Sequence, residues 1–518
     1  MRFWHSLYEL FKGPIEAVFI GVILMGIGNL ATNNAFSTLY TITNPVILNI
    51  ATIMSRTGMF IVVNFPLFFM MRIVTRKSGS GTTMLSALLG YAAFLTATMV
   101  IDNSSLPATA FSSILGISMT RSMQYSTQYM MAYPLQTGMF AALITGLITI
   151  GCFARSKKKS EYSFFGFISK SSWCMITTLF WCAAAGVLTA FAWPYFFMGL
   201  QKILDFIAVD TTNPINLALY GITERLMNVL NLGGLVRAPF WYSNMGGSWV
   251  SVSGSSVVGD VTIWTAQSAT NAVSGMTGRF ITPYYILNIF AIPALLWGIF
   301  SVQTDKPMKR RSILLFVIAD LVSMFTGILL PVEIALLVLC PVLFLMHVGL
   351  TGTLFALLQS MQIYLGYNMT AQMSMTAMPG TLMEAFTYIS NPALRPVLIK
   401  LLIIGVIMAV VYFCAARLYF RHMAIDLFHT GVKEDIIKST VKAVGGIDNI
   451  RLVTSTYSAL IISLQDPYKL DAARLRKLGA VKIMESTAGF KVSFGAQSTM
   501  IRMGIQKQIK ETVRTVTA

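Results

Sequence analysis

Charge is what this chain has least of. Only 11% of its 518 residues are Asp, Glu, Lys or Arg, against about a quarter in soluble domains, which excludes an ordinary soluble protein. Cysteine is sparse too. Cys152, Cys174, Cys182, Cys340 and Cys414 all lie in or beside apolar runs and show no paired spacing. They read as buried structural thiols, and neither a disulfide framework nor a metal site is expected. No cysteine follows Cys414. No Walker loop is present, so ATP-driven transport is not indicated, and no cofactor is implied. Acids are few, 20 against 38 Lys and Arg, for a formal net charge of +18. In a soluble protein that excess suggests nucleic acid. Here the bases gather at the ends of apolar runs, and no nucleic-acid partner is expected.

What is abundant is apolar: 55% of residues, with a mean hydropathy of +0.68. A span needs about 20 mostly apolar residues. Val18–Ala31, Met84–Ile101, Thr137–Ala154, Trp173–Phe197, Ile281–Ser301, Ile313–Leu330, Val332–Leu350 and Pro396–Phe420 meet or approach that length. Shorter runs lie around Thr57–Met71, Leu204–Tyr220 and Thr351–Leu365. The expectation is a polytopic α-helical membrane domain of about 10 spans with re-entrant segments. The first run follows Arg2 and Lys12, lacks a small-residue cleavage site, and reads as a retained helix. Bases cluster at Arg72, Arg76 and Lys77; at Arg155 and Lys157–Lys159; at Lys306 and Lys309–Arg311; and at Arg417 and Arg421. By the positive-inside rule all four clusters face the cytoplasm, and so does the tail that follows the last. Ser243–Arg279 is too polar to face lipid and reads as an external loop or part of a substrate chamber.

Composition changes at His422. Residues 1–421 form the membrane domain, 422–433 a linker, and 434–518 a small cytoplasmic α+β domain. Its expected helices are Ile436–Val444, Ala472–Lys477 and Ser498–Val513. Its expected strands are Arg451–Val453, Leu460–Leu464 and Phe490–Phe494.

A series of short motifs runs in order along the chain. Pro14-Ile15-Glu16-Ala17 leads to Gly26-Ile27-Gly28. Asn64-Phe65-Pro66-Leu67-Phe68 and Thr137-Gly138-Met139-Phe140 follow. Leu219-Tyr220-Gly221, Arg225-Leu226 and Ala238-Pro239-Phe240-Trp241-Tyr242 come next, then Thr326-Gly327-Ile328-Leu329-Leu330-Pro331-Val332-Glu333 and His347. The tail adds Gly445-Gly446-Ile447-Asp448-Asn449-Ile450, Leu478-Gly479-Ala480 and Phe490-Lys491-Val492-Ser493-Phe494-Gly495. Together these resemble the glucose-type enzyme II permeases of the sugar phosphotransferase system (PTS), a membrane C domain fused to a B domain. That resemblance implies a relay in which phosphoryl passes from a partner's phosphohistidine to a B-domain cysteine, then to a sugar held in the C domain.

The resemblance fails where the chemistry should be. Thr456 stands at the cysteine position, and Ala459 and Ile461 stand where the family has two arginines. A threonine has no thiolate equivalent, and the cationic clamp is gone with the nucleophile. In the membrane domain Gly233-Gly234 replace a His pair and Leu330 replaces a Glu. These positions, with Glu333, Arg225, His347 and Trp241, are the substrate-binding candidates the resemblance implies. Intramembrane ionisable groups are functional candidates by default, yet each has a plain alternative. Glu333 is a ligand contact or a structural ion pair. Arg225 pairs with Glu333 or Glu224, or meets ligand. His347 is a ligand contact or a satisfied core histidine. Trp241 stacks on a sugar or sits in an interfacial belt.

The expected protein is a PTS enzyme II-like permease that translocates a sugar or sugar-like solute, its self-phosphorylation lost or supplied by another B domain. The alternatives are a transport-inactive sensor of PTS-linked signalling and a facilitator that releases unmodified solute. Expected partners are the sugar, the lipid bilayer, PTS A or B domain proteins and a second copy of the chain in a homodimer. The expected location is the bacterial inner membrane.

Overall fold

A computed structural model describes residues 2–33, 36, 39–78, 81–100, 106–107, 110–111, 133–156, 170–250, 254–269, 277–302, 306–368, 379–423, 434–456, 459–486, 489–494 and 497–516. Eight helical stretches among them are long and apolar enough to cross a bilayer: Leu10–Thr32, Pro45–Val63, Gly81–Met99, Met139–Ser156, Ser172–Val209, Thr282–Val302, Pro341–Ser360 and Arg395–Arg421. Ser312–Thr326 and Leu330–Leu339 are apolar but shorter. The polytopic helical architecture is present, with eight full-length candidates among the described residues where the sequence suggests about ten. The chain divides into two compact units, Arg2–Ala294 with Ile313–Val410, and Leu295–Ser312 with Val411–Ala518.

In the first unit α1 (Arg2–Thr32) and α2 (Pro45–Val63) cross closely, because glycine stands at the contact: a Cβ on Gly58 would lie 2.3 Å from Gly21 O. Asn44 opens α2 by accepting from Val46 N at 2.9 Å, with Pro45 at the first helical position. α3 (Phe65–Ser78), α4 (Gly81–Val100), α5 (Met139–Ser156) and α6 (Lys170–Val209) follow. Gly186 of α6 meets α4, where a Cβ would come within 2.5 Å of Phe94 O. Small residues that let backbones approach are how helices associate where lipid removes the hydrophobic drive.

α7 (Pro214–Val229) and α8 (Gly233–Tyr242) come next, then a polar segment that is neither a simple loop nor fully exposed. It folds as a hairpin of β1 (Ser248–Val250) and β2 (Ser256–Val258), followed by α9 (Asp260–Ala269). Asp260 and Trp264 on α9 are buried, and the Asp260 carboxylate accepts from Gly278 N at 2.8 Å and Phe280 N at 3.3 Å. The parts of this segment at 251–253 and 270–276 lie outside the described residues.

α10 (Thr282–Ile286) passes through a π turn at Leu287–Ala291 into α11 (Ile292–Val302), and α12 (Lys306–Thr326) follows. The run Val332–Leu350, which reads from sequence as one span, is two helices: α13 (Leu330–Leu339) and α14 (Pro341–Ser360). The cause is Pro341. A residue before proline is driven off the helical region, and Cys340 sits at φ −143, ψ 66. α15 (Leu382–Ile389) opens on a Thr381–Glu384 capping box, and α16 (Arg395–Met423) runs two residues past the expected boundary at 421. The remainder of the expected linker, 424–433, lies outside the described residues.

In the second unit residues 434–516 combine α17 (Glu434–Ala443), β3 (Ile450–Ser455), β4 (Leu460–Leu464), α18 (Ala472–Lys477), β5 (Lys482–Ser486), β6 (Gly489–Ser493) and α19 (Gln497–Val516). The sheet is antiparallel in the order β3-β4-β6-β5. Val453, Ile462, Leu460 and Val492 bury on one face with Ile501 and Ile505 of α19, Leu475 of α18 and Val441 of α17. Asn449 joins two turns, donating through Nδ2 to Val444 O (2.7 Å) and Asp466 O (3.0 Å) while Oδ1 accepts from Asp466 N (2.8 Å). β5 is a strand that the sequence pattern does not suggest.

Candidate functional site

The site is built on two helix ends and one helix interior. α7 starts where Asn213 Oδ1 accepts from Ile215 N (2.9 Å) ahead of Pro214. Its face then presents Glu224, Arg225 and Asn228, which the 3.6-residue period brings to one side. The chain turns through Asn231, held at φ 59, and re-enters as α8 with Gly233 and Arg237. From the other side Gly327 (φ 67) stops α12, and Pro331 starts α13 so that Glu333 lies in its first turn. Carboxylates are favoured at a helix N-terminus. His347 comes from the interior of α14.

These groups meet in one buried network. Arg225 Nη1 donates to Glu333 Oε1, and Arg225 Nε donates to Glu224 Oε2 at 2.5 Å. Asn228 Nδ2 donates to Glu333 Oε2 at 2.7 Å. Arg237 Nη1 donates to Glu224 Oε1 at 2.6 Å and to Asn228 Oδ1 at 3.0 Å. His347 Nε2 lies 3.5 Å from Glu333 Oε1. Side-chain exposure is 0–1% for Glu224, Arg225, Glu333 and His347, and 17% for Arg237. Two carboxylates face two guanidinium groups, so the cluster is neutral when His347 is neutral. That balance is required: an unpaired buried charge costs several kcal/mol, roughly, whereas a paired and hydrogen-bonded one is tolerated.

Aromatic side chains seal the network. The Arg225 guanidinium lies 5.1 Å from the Tyr284 ring centroid, and that of Arg237 lies 5.7 Å from Trp241. Tyr220 stands edge-on to Phe240, Phe280 and Phe355 with centroids 4.8–5.4 Å away. Gly221 leaves room for Phe355, whose ring a Cβ would approach to 2.5 Å.

The sequence-derived candidates are placed as follows. Arg225 binds both Glu333 and Glu224, where the sequence leaves one or the other open. His347 is a member of the network. Trp241 is only 3% exposed and its indole N–H donates to Tyr220 Oη at 3.0 Å, so its ring sits in the core of this face. Leu330 is buried one turn before Glu333. Gly233 is buried, and a Cβ there would lie 2.7 Å from Arg237 Nη1 and 2.8 Å from Asn228 Oδ1. The guanidinium of Arg237 thus fills the space that a side chain at 233 would need. A Cβ on Gly234 would lie 3.4 Å from Gln136 Nε2. Sequence reasoning misses Asn228, whose signal is its spacing of four and three residues from Glu224 and Arg225. Among the described residues no group of three or more His, Cys, Asp or Glu side chains could hold a metal.

At the tip of the C-terminal sheet Thr456 N–H and Oγ1 both donate to Ala459 O, at 2.8 and 3.2 Å. Ala459 is fully buried, and Ile461 is half-buried within β4. Tyr457 and Ser458 lie outside the described residues.

The family described as "Phosphotransferase system, EIIC" matches residues 9–352. Those residues hold most of α1, all of α2 to α13, the first part of α14, and every member of the buried network. The chain belongs to the EIIC family of the phosphotransferase system, the membrane component of sugar permeases.

Proposed function

We propose that this chain is a glucose-type PTS permease whose B-type domain, residues 434–518, is cytoplasmic and no longer carries phosphate. Residues 1–421 bind and translocate a sugar. Phosphorylation of that sugar is absent or is supplied by the B domain of another protein. The observation that carries the reading is the state of Thr456: its hydroxyl is tied to Ala459 O, and the neighbouring positions 459 and 461 are apolar. A phosphate carrier must be both nucleophile and leaving group, with cations beside it to hold the added charge. An alcohol bonded to a carbonyl and flanked by Ala and Ile meets none of these needs.

In the membrane domain the reading assigns solute contact to Arg237. It is the partly exposed cation of the network, and its hydrogen bonds to Glu224 and Asn228 both leave from Nη1. Nε and Nη2 remain to meet the hydroxyl oxygens of a sugar. A transport-inactive sensor is the second reading. What favours it is that Arg225 and Glu333 are already engaged with protein partners.

Reconstitution separates these readings. Proteoliposomes holding the full chain, the general PTS proteins and labelled phosphoenolpyruvate are expected to leave residue 456 unlabelled while a sugar is taken up. Thr456→Cys alone is expected to stay unlabelled, because Ala459 and Ile461 supply no clamp. Label on Thr456 overturns the loss of phosphate transfer, and failure to take up any sugar favours the sensor.

A further inference from the structure

We propose that the uncovered face of the C-terminal sheet docks on an anionic lipid surface. The register of the sheet defines this face. Thr454, Ile461, Lys491 and Met484 form one row across the four strands, with Leu452–Ser463 and Ser493–Lys482 as the pairs beside it. The residues between them, Val453, Ile462, Leu460 and Val492, point the other way into the core under α17 to α19. The outer face therefore has no helix on it among the described residues. Leu452 is 60% exposed, Met484 is 37% exposed, and Lys482 is exposed.

Two features of this face select a lipid headgroup layer over another protein. Lys482 and Lys491 stand among its apolar side chains and no Asp or Glu occurs in these rows, the one acid lining the concavity beside Leu452 being the exposed Glu485 on the β5 edge. Lysine stems lie along apolar surface while their ammonium groups reach phosphate, which is how interfacial elements seat on anionic bilayers. The surrounding charge agrees: residues 434–518 hold thirteen Lys and Arg against seven Asp and Glu. The exposed Arg451, at the irregularity in β3, adds a cation at the rim beside Leu452. The second feature is the tether. Ten residues separate Met423 from Glu434, at most about 35 Å of extended chain, so the bilayer crossed by α16 is held at high effective concentration. The docking rests on the reading of residues 434–518 as a cytoplasmic domain, on the leaflet side where anionic lipid gathers.

The test uses the full chain, one copy per nanodisc, in phosphatidylcholine alone or mixed with phosphatidylglycerol. Lysines are acetylated briefly and the modification is read by mass spectrometry. Lys442, an exposed lysine on α17 in the helical layer, serves as the internal reference. Lys482 and Lys491 are expected to be labelled about fivefold more slowly in the anionic discs, since each cation near an anionic surface contributes about that factor. Added salt is expected to abolish the difference, and so is Met484→Glu, which places a carboxylate beside Lys491 on the β5 edge of the face. Equal labelling in the two lipids overturns the docking. So does equal slowing of Lys442, or slowing that is already complete in phosphatidylcholine, which assigns the face to another part of the chain. Both leaflets of a nanodisc carry the same lipid and both faces are open to the reagent, so these outcomes do not depend on sidedness. A wrong topology shows instead in vesicles, through the accessibility of the same lysines to an impermeant reagent.

Discussion

The buried network predicts a specific pattern of stabilities for Glu333→Gln, Arg225→Met and the double variant. Removing one partner of a buried ion pair costs about 3–5 kcal/mol. Glu333→Gln belongs at the upper end of that range for a geometric reason. One oxygen of Glu333 accepts from Arg225 Nη1, and the other accepts from Asn228 Nδ2 at 2.7 Å. Asn228 cannot turn its amide round, because its Oδ1 already accepts from Arg237 at 3.0 Å. A glutamine must therefore point its NH2 at a donor whichever way it lies. Arg225→Met is expected to be at least as damaging, since it leaves two carboxylates against one guanidinium. The double variant removes both faults. Glu224 keeps Arg237, the oxygen of the introduced amide takes the Asn228 bond, and its NH2 no longer faces a guanidinium, since Arg225 is gone. The double variant is expected to be more stable than the sum of the single losses by about 3 kcal/mol, the size expected of strongly coupled neighbours. Unfolding midpoints of the four purified proteins in one detergent measure this. A double variant whose loss equals that sum to within about 0.5 kcal/mol refutes a charge-balanced network.

Two further outcomes follow from the same geometry. Gly233→Ala places a methyl group 2.7 Å from Arg237 Nη1 and 2.8 Å from Asn228 Oδ1, so the two side-chain ends must shift apart; a weakened Arg237–Asn228 bond and a loss of about 1 kcal/mol are expected and are read as a lowered unfolding midpoint. Arg237→Lys keeps the charge opposite Glu224 but removes the planar fork. Binding of the transported sugar is expected to weaken about tenfold, since a charge-assisted hydrogen bond contributes about 1.5–3 kcal/mol, and unchanged affinity in a radioligand assay removes Arg237 from the solute contact.

How much of this is legible in the sequence depends on whether the signal is local. Leu460–Leu464 and Ala472–Lys477 are legible to the residue, because alternation and a bounded helical pattern are complete within each segment. β5 is not. Lys482-Ile483-Met484-Glu485-Ser486 offers one side chain to the core, and the strand forms only because β6 is there to pair with it. Pro341 sits inside an apolar run in plain view, yet hydropathy averages across it, so one expected span becomes two helices. Arg225, Glu333 and His347 stand out because ionisable groups among apolar neighbours are rare. Asn228 does not, being uncharged, although it decides how Glu333 and Arg237 are held. The relation between Gly233 and Arg237 is the least legible of all. It exists only because the turn at Asn231 brings the start of α8 back over the end of α7, so the space left by an absent side chain at 233 becomes the space a guanidinium occupies. Read as a string, Gly233 is a missing ligand. Read in the fold, it leaves the space in which the Arg237 guanidinium reaches both Glu224 and Asn228, and a side chain restored at 233 must push that guanidinium out of its place.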